Sequence, residues 1–435
     1  MGVTKGEVLR GMGIALSVAV AVASIAIYVV ANIYAPATPP PQQRARRAVW
    51  IDTDSASDDL FSVALLASSS SHQKWPKSTE VAGMSTVRGV LSAADGYRMW
   101  SSAIEQLGAD TPVFAGDMKL VCGEDRPLAG DYHFPSEWGE EMLQLYAKYF
   151  PSLSSSPTPS ECSGEAAAAD MLSTLHSYDQ LHIIAVGPLT NVALFLHRVH
   201  TSDRERGTDY MSRISLTVMG AAINRTEPDE GAPPSPSQAA EWNWYADPLA
   251  ANISVAHFTH TSVAHLVPTD LTFLIHCPDV DRYGMIERYD YASNVTPSQS
   301  WQEVGKQVYS FLCRPITAEL SLSLLYDGVA AIVFLQPDAG SGPRLPLQVG
   351  SGDGSFPPAG VTVEVREGGG EESGAGQASP LSPSHPCSPL PTVYGGELDS
   401  SCSQYGYAHF LNEWRAEVGT KLMHDLLSSS FPPSP

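Results

Sequence analysis

The chain has 435 residues and a net charge of −22, which is too acidic for general binding to nucleic acids, whose recognition needs basic patches. Hydrophobic residues make up 43% of the chain and supply a sizeable core, so a wholly disordered chain is excluded. Charged residues are only 17%, whereas 35 glycines and 34 prolines are present, and this composition predicts many loops.

The first 47 residues differ in character from the rest. After a tail at 1–10, residues 11–31 carry no charge and are long enough to span a bilayer, so we expect a transmembrane or signal-anchor helix there. A cleaved secretory signal fits the same residues; a buried core helix fits less well because the segment has no polar stripe. Residues 32–47 form a Pro-rich, basic linker.

All six cysteines and three Asn-x-Ser/Thr sequons follow this apolar segment. An even number of cysteines is compatible with disulfides, which persist in oxidising compartments. We therefore expect a membrane-anchored or secreted glycoprotein whose folded part is extracellular or lumenal. The cysteines are Cys122, Cys162, Cys277, Cys313, Cys387 and Cys402, and the sequons begin at Asn224, Asn252 and Asn294.

Apolar periodicity predicts strands alternating with helices after the linker. The predicted strands are 48–51, 80–87, 111–115, 181–186 and 214–219, and the predicted helices are 60–68, 93–107, 166–176, 191–197 and 408–427. This alternation predicts one α/β domain at 48–428, with a mainly parallel central sheet flanked by helices. Residues 152–164 and 367–395 are predicted low-complexity insertions, and 429–435 a tail.

Four carboxylates lie within residues 52–59, directly after the first strand. A hard cation with oxygen ligands would neutralise them. An Asp-rich turn that caps the next helix is the alternative, although one or two Asp would suffice for that. A third interpretation is a Mg²⁺-dependent phosphohydrolase of the haloacid-dehalogenase type, with Asp52 as nucleophile and Asp54 as acid.

Several segments, in the same order along the chain, resemble motifs of one enzyme family. Residues 52–59 read DTDSASDD, where the inosine–uridine-type nucleoside hydrolases carry D-x-D-P-G-x-D-D-A. Residues 187–193 resemble the family's G-P-L-T-N-x-A, 240–248 its A-E-F-N-x-x-x-D-P, and 325–328 take the place of its late H-D-P. The resemblance implies a nucleoside-hydrolase-like fold and hydrolysis of ribonucleosides to free base and ribose, a reaction of purine and pyrimidine salvage.

The resemblance also implies a metal site. Ca²⁺ would be held by Asp54, Asp59, the carbonyl oxygen of Thr190 and Asp327, which are oxygen donors from distant parts of the chain. Asp54 would act as general base on a water bound to the Ca²⁺.

Contacts to the nucleoside substrate are implied for a further set of residues. The ribose would bind to Asp58, Glu241 and Asn243. The base would stack on Trp242, with Trp244 suspected too, although a core role for these tryptophans is the alternative. Tyr326 would take the place of the family's late His near the leaving base. His133 is either a second contact to the base or an ordinary loop His.

Some positions depart from the family pattern. Ser55 and Ala56 replace its Pro-Gly, while Val90, Ser235 and Tyr326 replace its Asn, Asn and His. These departures motivate a second hypothesis, a catalytically impaired ectodomain that binds Ca²⁺ and ribose. The expected partners are a nucleoside and, through the N-terminal helix, a membrane, but no nucleic acid; the sequence leaves a homo-oligomer open.

Overall fold

The computed structural model describes residues 46–71, 75, 78–108, 118–130, 134–222, 233, 240–282, 297–314, 325–341, 344–350, 362–364, 406–410 and 413–428. They fall within one folded unit, Arg46–Pro435. The predicted segments at 1–10, 11–31, 367–395 and 429–435, and most of the linker, lie outside these ranges. No helix within them is long and apolar enough to cross a membrane.

A mainly parallel sheet organises this unit. Its strands are β1 (Arg47–Thr53), β2 (Thr79–Thr86), β3 (Lys119–Cys122), β4 (Gln180–Ala185), β5 (Ile214–Met219), β6 (Val263–Val267), β8 (Arg344–Gly350), β9 (Thr362–Glu364) and β10 (Gly406–Phe410), while β7 (Gly340–Ser341) and β11 (Glu413–Trp414) pair separately. The order across the sheet is β3-β2-β1-β4-β5-β6-β10-β8-β9. All neighbours from β3 to β10 are parallel, and β8 and β9 continue antiparallel.

The chain reverses its direction of travel across the sheet at β1. It steps from β1 to β2 and β3 on one side and then returns to place β4 on the other side. In open parallel sheets, ligands bind at the carboxyl ends of the strands that flank such a reversal. The acidic residues 52–59 follow β1 and therefore stand at this position.

Helices pack on both faces of the sheet. They are α1 (Ser57–Ser71), α2 (Ala93–Leu107), α3 (Ser136–Tyr149), α4 (Gly164–Ser177), α5 (Thr190–Arg206), α6 (Trp242–Ala246), α7 (Pro248–Phe258), α8 (Thr269–Thr272), α9 (Cys277–Asp281), α10 (Trp301–Leu312), α11 (Tyr326–Leu335) and α12 (Gly419–Ser428). Successive strand residues point to opposite faces, so Val49 and Ile51 enter one buried cluster with α1, α10 and α11. Ala48 and Trp50 enter the other, with α4, α5 and α7.

The predicted α/β fold is confirmed, and two elements match their predicted bounds, α2 at Ala93–Leu107 and β5 at Ile214–Met219. The predicted helix at 408–427 is wrong in its first half. Residues Gly406–Phe410 form β10, whose backbone pairs with β6 and β8, and helix α12 begins only at Gly419. Sheet pairing with distant strands here overrides a local helical pattern. The predicted strand at 111–115 lies outside the described residues, and β3 was not predicted.

The Ser/Pro-rich segment 152–164 is tied to the domain at both ends. Pro151–Ser155 forms a short 3-10 helix whose Leu153 is buried, and the carbonyl oxygen of Leu153 accepts a hydrogen bond from Arg98. At the other end, Cys162 is bonded to Cys122 at the end of β3. This predicted insertion is therefore a packed part of the fold.

One predicted glycosylation site is buried. Asn252 lies within α7 and is only 8% exposed, which leaves no room for a glycan in the folded protein. The sequons at Asn224 and Asn294 lie outside the described residues.

Two disulfides join segments of the domain, Cys122–Cys162 and Cys277–Cys313. Cys122–Cys162 closes a loop with a sequence separation of 40. The chain-entropy model gives about 4 kcal/mol of stabilisation for a loop of that length.

We expect thiol alkylation before reduction to leave these four cysteines unmodified in protein isolated from its native compartment. Reduction, or substitution of Ser for both Cys122 and Cys162, should lower the free energy of unfolding by about 2–4 kcal/mol in denaturant titrations. Free, alkylated thiols at these positions in the native protein, or an unfolding midpoint unchanged by reduction, would contradict this prediction.

Candidate active site

Asp52, the sixth residue of β1, is fully buried and held by two neighbouring elements. Ser85 of β2 donates its hydroxyl to Asp52 Oδ1, and Asn191 Nδ2 at the start of α5 donates to the same oxygen at 2.9 Å. Asp52 Oδ2 has no hydrogen-bond partner in the described part of the chain. Asp52 thus ties together the strand end and the helix start that frame the site.

The turn after β1 contains Ser55 in the left-handed region, with φ 67°, although it is not a glycine. Three contacts hold it in this conformation. Its backbone N–H donates to Thr53 Oγ1 at 3.0 Å, its carbonyl oxygen accepts from the Tyr146 hydroxyl at 2.8 Å, and its hydroxyl oxygen accepts from Trp100 Nε1 at 3.1 Å. The strain of a non-glycine residue there is therefore compensated by packing around the turn.

Asp54 is oriented by main-chain groups that approach it closely. The Val90 N–H donates to Asp54 Oδ2 at 2.8 Å. Gly89 is required beside it, because a Cβ at that position would lie 2.0 Å from Asp54 Oδ2. The Val90 side chain cannot form the hydrogen bonds of an Asn side chain, but the Val90 backbone N–H donates to the Asp54 carboxylate.

A cluster of three carboxylates adjoins Asp54. Asp58, Asp59 and Asp327 each offer one oxygen atom, and these atoms lie within 4.8 Å of one another. Asp59 is fixed by the Thr53 hydroxyl and by the Ala56 N–H at 2.9 Å. Asp327 Oδ1 is buried and, among the described residues, has no hydrogen-bond partner. Asp327 enters from α11, which packs against α1.

Glu241 is bound by three backbone N–H groups. Its Oε1 accepts from Asn243 at 2.8 Å, and its Oε2 accepts from Trp244 at 3.1 Å and Ala221 at 3.2 Å. It thereby caps helix α6, whose second residue is Asn243. Both side chains are buried and line the cavity that contains the Asp cluster.

Thr190 begins helix α5 in a position slightly apart. Its hydroxyl donates to Asp247 Oδ2 at 2.7 Å, and Asp247 also accepts from the Leu128 N–H. Thr190 lines a neighbouring cavity of about 370 Å³ that shares Val90 and Phe134 with the main one. The structure thus brings Thr190 to the rim of the carboxylate cavity rather than into its lining.

The main cavity has a volume of about 410 Å³, a carboxylate floor and an aromatic wall. The floor contains Asp54, Asp58, Asp59, Glu241, Asn243 and Asp327. In the wall, the Trp242 ring stacks on Phe134 with centroids 5.0 Å apart and meets Trp138 edge-on at 5.2 Å. Tyr326 lines the cavity too and packs edge-on against Phe273 at 5.7 Å.

The structure separates the two tryptophans that the sequence could not distinguish. Trp242 lines the cavity, whereas Trp244 is fully buried in the hydrophobic core. His133 and Ser235 lie outside the described residues. Phe134 and Trp138 were missed by the sequence analysis, although aromatic residues four apart across the start of α3 are a signal that could have found them.

Burial raises the pKa of every carboxylate on this floor. Desolvation and the charge of Asp54 raise the pKa of Asp58 to about 7, and desolvation raises that of Asp54 to about 6 and that of Glu241 to about 7. The pKa values of Asp59 and Asp327 are also raised, first by burial and then by neighbouring carboxylates. Within the described ranges, no salt bridge involves any of these five side chains.

These residues fit a hard divalent cation. The donors are all oxygen atoms, and among the described residues at least one of these atoms is buried without a hydrogen-bond partner. The carboxylates lie close together, and no cationic side chain of the described residues forms a salt bridge with them. Such a set matches Ca²⁺ or Mg²⁺ rather than a softer metal.

Comparison with known proteins assigns the family. The model of the inosine-uridine preferring nucleoside hydrolases matches residues 49–380, which is most of the chain. The chain belongs to this family. Members of the family are nucleoside hydrolases, glycosidases that act on N-glycosyl compounds.

Individual relatives of this nucleoside hydrolase family are distant in sequence. The chain is 28% identical over 225 residues to an uncharacterized protein of Schizosaccharomyces pombe, covering 52% of this chain and 58% of that protein. It is 27% identical over 238 residues to uridine nucleosidase 1 of Arabidopsis thaliana, covering 53% and 59%. The matches thus span less than two thirds of either curated relative.

A solved structure extends the likeness over the whole fold. The inosine-uridine preferring nucleoside hydrolase from Bacillus anthracis superposes with a TM-score of 0.56 at 15% identity, covering 88% of this chain and 99% of that one. At this identity the superposition supports the nucleoside-hydrolase fold alone.

The raised pKa values predict a pH-dependent affinity for Ca²⁺. Protons occupy these carboxyl groups below pH 6–7 and must leave before the cation binds, so the affinity should fall by about tenfold per pH unit for each proton displaced. Isothermal titration of the full-length chain between pH 5.5 and 8 should show binding that tightens as the pH rises.

Two variants make this titration specific. Asp327→Asn should weaken Ca²⁺ binding. Asp170→Asn removes a carboxylate of α4 that pairs with Lys119 of β3, and it should leave Ca²⁺ binding unchanged. A Ca²⁺ affinity independent of pH, or equal in Asp327→Asn and the native chain, would show that the cation binds elsewhere.

Proposed function

We propose that this chain hydrolyses the N-glycosidic bond of ribonucleosides, giving free base and ribose, with Ca²⁺ held by Asp54, Asp59, Asp327 and the carbonyl oxygen of Thr190. The observation that carries the proposal is the convergence on one cavity, with an aromatic wall, of carboxylates from the turn after β1, from α1, from the N-cap of α6 and from α11. Family membership supports the same chemistry.

Asp54 is the general base in this proposal. A cation held by these residues would lower the pKa of a bound water molecule and would attract the ribose hydroxyls. Asp54 accepts the proton of the attacking water. The hydrogen bond from the Val90 N–H to Asp54 Oδ2 orients this carboxylate.

Ribose is bound by Asp58, Glu241 and Asn243 in this proposal. Glu241 has its carboxylate fixed by three backbone N–H donors and so offers a rigid acceptor to a sugar hydroxyl. Cleavage at C1′ develops positive charge on the sugar, as in glycoside hydrolysis, and the surrounding carboxylates stabilise that charge.

The aromatic wall binds the base. The Trp242 ring is already packed against Phe134 and Trp138. Because the ring is ordered before the base binds, stacking a base on it loses little side-chain entropy. Tyr326, which lines the same cavity, would donate its phenolic proton to the departing base.

The phosphohydrolase interpretation fits this geometry poorly. Asp52 would be its nucleophile, but the side chain is fully buried, held by Ser85 and Asn191, and absent from the lining of the cavity. Asp327 and Glu241 would also have no role in that reaction.

We propose an extracellular or lumenal location for the folded domain, with the apolar segment at 11–31 as its anchor or signal. The two disulfides support an oxidising compartment.

The proposed activity predicts ribose release that depends on Ca²⁺ and on Asp54. We expect the full-length chain to release ribose from inosine, uridine, adenosine or p-nitrophenyl ribofuranoside, and chelation of Ca²⁺ to abolish the release. Asp54→Asn should lower kcat by about 10²–10⁴-fold through loss of the general base, whereas Asp170→Asn should be as active as the native chain.

The other hypotheses give different results in the same assay. Binding of Ca²⁺ and ribose without turnover of any nucleoside would support the catalytically impaired ectodomain instead. Hydrolysis of a phosphomonoester in Mg²⁺ would overturn both nucleoside proposals.

The aromatic wall predicts a selective effect on nucleoside binding. Trp242→Leu removes the stacking face, which is worth about 1–3 kcal/mol per base, and should raise KM for nucleosides by about 5–150-fold. The matched change Trp75→Leu removes a tryptophan that packs on Phe334 and does not line the cavity, so it should leave KM unchanged. Steady-state kinetics decide this, and equal KM values for the two variants would remove Trp242 from the base site.

A further inference from the structure

A cluster of histidines lies away from the carboxylate cavity, between helices α5 and α7. His197 and His200 are three residues apart on α5, and His257 and His260 are three apart at the end of α7. His197 and His200 therefore share one helix face, and His260 lies in the turn after α7, where its N–H donates to the carbonyl oxygen of His257 at 2.9 Å. The ring centroid of His200 lies 4.9 Å from that of His257 and 4.8 Å from that of His260.

Three of these side chains have the spacing of metal ligands. His200, His257 and His260 each offer one ring nitrogen, and the three nitrogens lie within 4.8 Å of one another. Tetrahedral Zn²⁺ with bonds of about 2.0–2.1 Å places its ligand nitrogens about 3.4 Å apart. Small side-chain rotations close that difference.

His257 supplies an independent indication of a ligand. It is only 4% exposed, and its Nε2 atom is buried without a hydrogen-bond partner among the described residues. A buried imidazole nitrogen without a partner is costly, and a metal ion would satisfy it. His197 Nδ1 is buried and unpartnered in the same way, and the His197 ring centroid lies 6.1 Å from that of His257.

The protonation state of the cluster suits a metal. Burial lowers the pKa of His257 to about 3 and that of His200 to about 4, so both rings are neutral at pH 7, which is the form that ligates metals. The end of α7 also places the negative end of a helix dipole beside the cluster. His260 is exposed and gives an ion access from solvent.

We propose that His200, His257 and His260 bind a divalent transition-metal ion, with Zn²⁺ as the best match, at a site separate from the carboxylate cavity. Imidazole nitrogen suits Zn²⁺, Cu²⁺ and Ni²⁺ and is a poor ligand for Ca²⁺ and Mg²⁺. The fourth position is open to water or to His197.

The ion would tie together two helices that begin next to each other, outside the lining of the carboxylate cavity. Thr190 at the start of α5 donates to Asp247, which caps α7, so both helices run away from the same edge. His200 lies ten residues after Thr190, about 15 Å along the helix axis, and an ion there cannot touch the substrate. The site therefore stabilises the scaffold of the active site rather than taking part in hydrolysis.

The test is a Zn²⁺ titration of the full-length chain, purified without a histidine tag and with Ca²⁺ in excess to occupy the carboxylates. Calorimetry should show one Zn²⁺ per chain, and Co²⁺ in its place should give the visible absorption bands of a tetrahedral nitrogen site. Zn²⁺ should also raise the Tm, because an ion that binds the folded state stabilises it.

Variants locate the ion. His260→Ala, at an exposed position, and His200→Gln should each weaken Zn²⁺ binding by at least about 100-fold, and the double variant should lose the Zn²⁺-dependent rise in Tm. His176→Ala removes an exposed histidine outside the cluster and should bind Zn²⁺ as the native chain does. Unchanged Zn²⁺ affinity in the double variant, or loss of binding in Asp327→Asn, would overturn the proposal. These readouts do not depend on nucleoside turnover, so the Zn²⁺ site and the proposed activity can fail independently.

Discussion

The burial of several carboxylates at one edge of the sheet is the constraint on which the rest of this structure depends. Each ionised carboxylate removed from water carries a desolvation penalty of several kcal/mol unless it is compensated. Glu241 is compensated by three backbone N–H groups and Asp54 in part by one. Among the described residues, the cluster of Asp58, Asp59 and Asp327 has fewer such donors: Asp59 accepts from the Thr53 hydroxyl and the Ala56 N–H, whereas Asp327 Oδ1 has no partner. A divalent cation would balance the charge that these carboxylates carry.

The sheet can present these groups because β1, the third strand in its order, is fixed from both sides. Trp50 Nε1 donates to the Ser85 hydroxyl at 2.8 Å, and Ser85 in turn donates to Asp52. Gly83 makes room for the Trp50 ring, since a Cβ there would lie 2.2 Å from it. On the other side, Asn191 joins Asp52 to the start of α5. The end of β1 is thus rigid before the strained turn at Ser55 begins, and this rigidity lets the turn aim Asp54.

The parts of this fold and site that could be predicted from the sequence are those encoded locally. Apolar periodicity predicted β1, β2, α1 and α5 near the site but not α3, α6 or α11, and motif spacing identified Asp54, Asp59, Glu241 and Asp327, which the fold brings to one cavity. The segment at 408–427 was predicted as a helix because its pattern is helical, but its strand pairs with partners some 60 and 140 residues away, which no local pattern reveals.

Contacts made by the backbone were equally invisible to side-chain reasoning. Val90 looked unable to replace a polar residue, yet its N–H supplies the hydrogen bond to Asp54. The aromatic wall forms where Phe134, just before α3, and Trp138 of α3 contact Trp242 of α6. Trp242 follows them in the sequence by more than a hundred residues. Such a wall arises from tertiary packing, so the sequence could indicate an individual aromatic residue but not the contacts between them.

Helices α5 and α7 run between two kinds of polar cluster. The two clusters offer different ligand atoms and would therefore bind different metal ions. At their first residues, the hydroxyl of Thr190 and the carboxylate of Asp247 bind each other beside a floor of oxygen donors. At their far ends, His200, His257 and His260 offer only nitrogen donors. Because Ca²⁺ prefers oxygen and Zn²⁺ prefers imidazole over carbonyl and carboxylate oxygen, donor type alone directs each ion to its own end of the helix pair. The helix pair would therefore hold the proposed Zn²⁺ ion, whereas the carboxylates that would hold Ca²⁺ come from the turn after β1, from α1 and from α11.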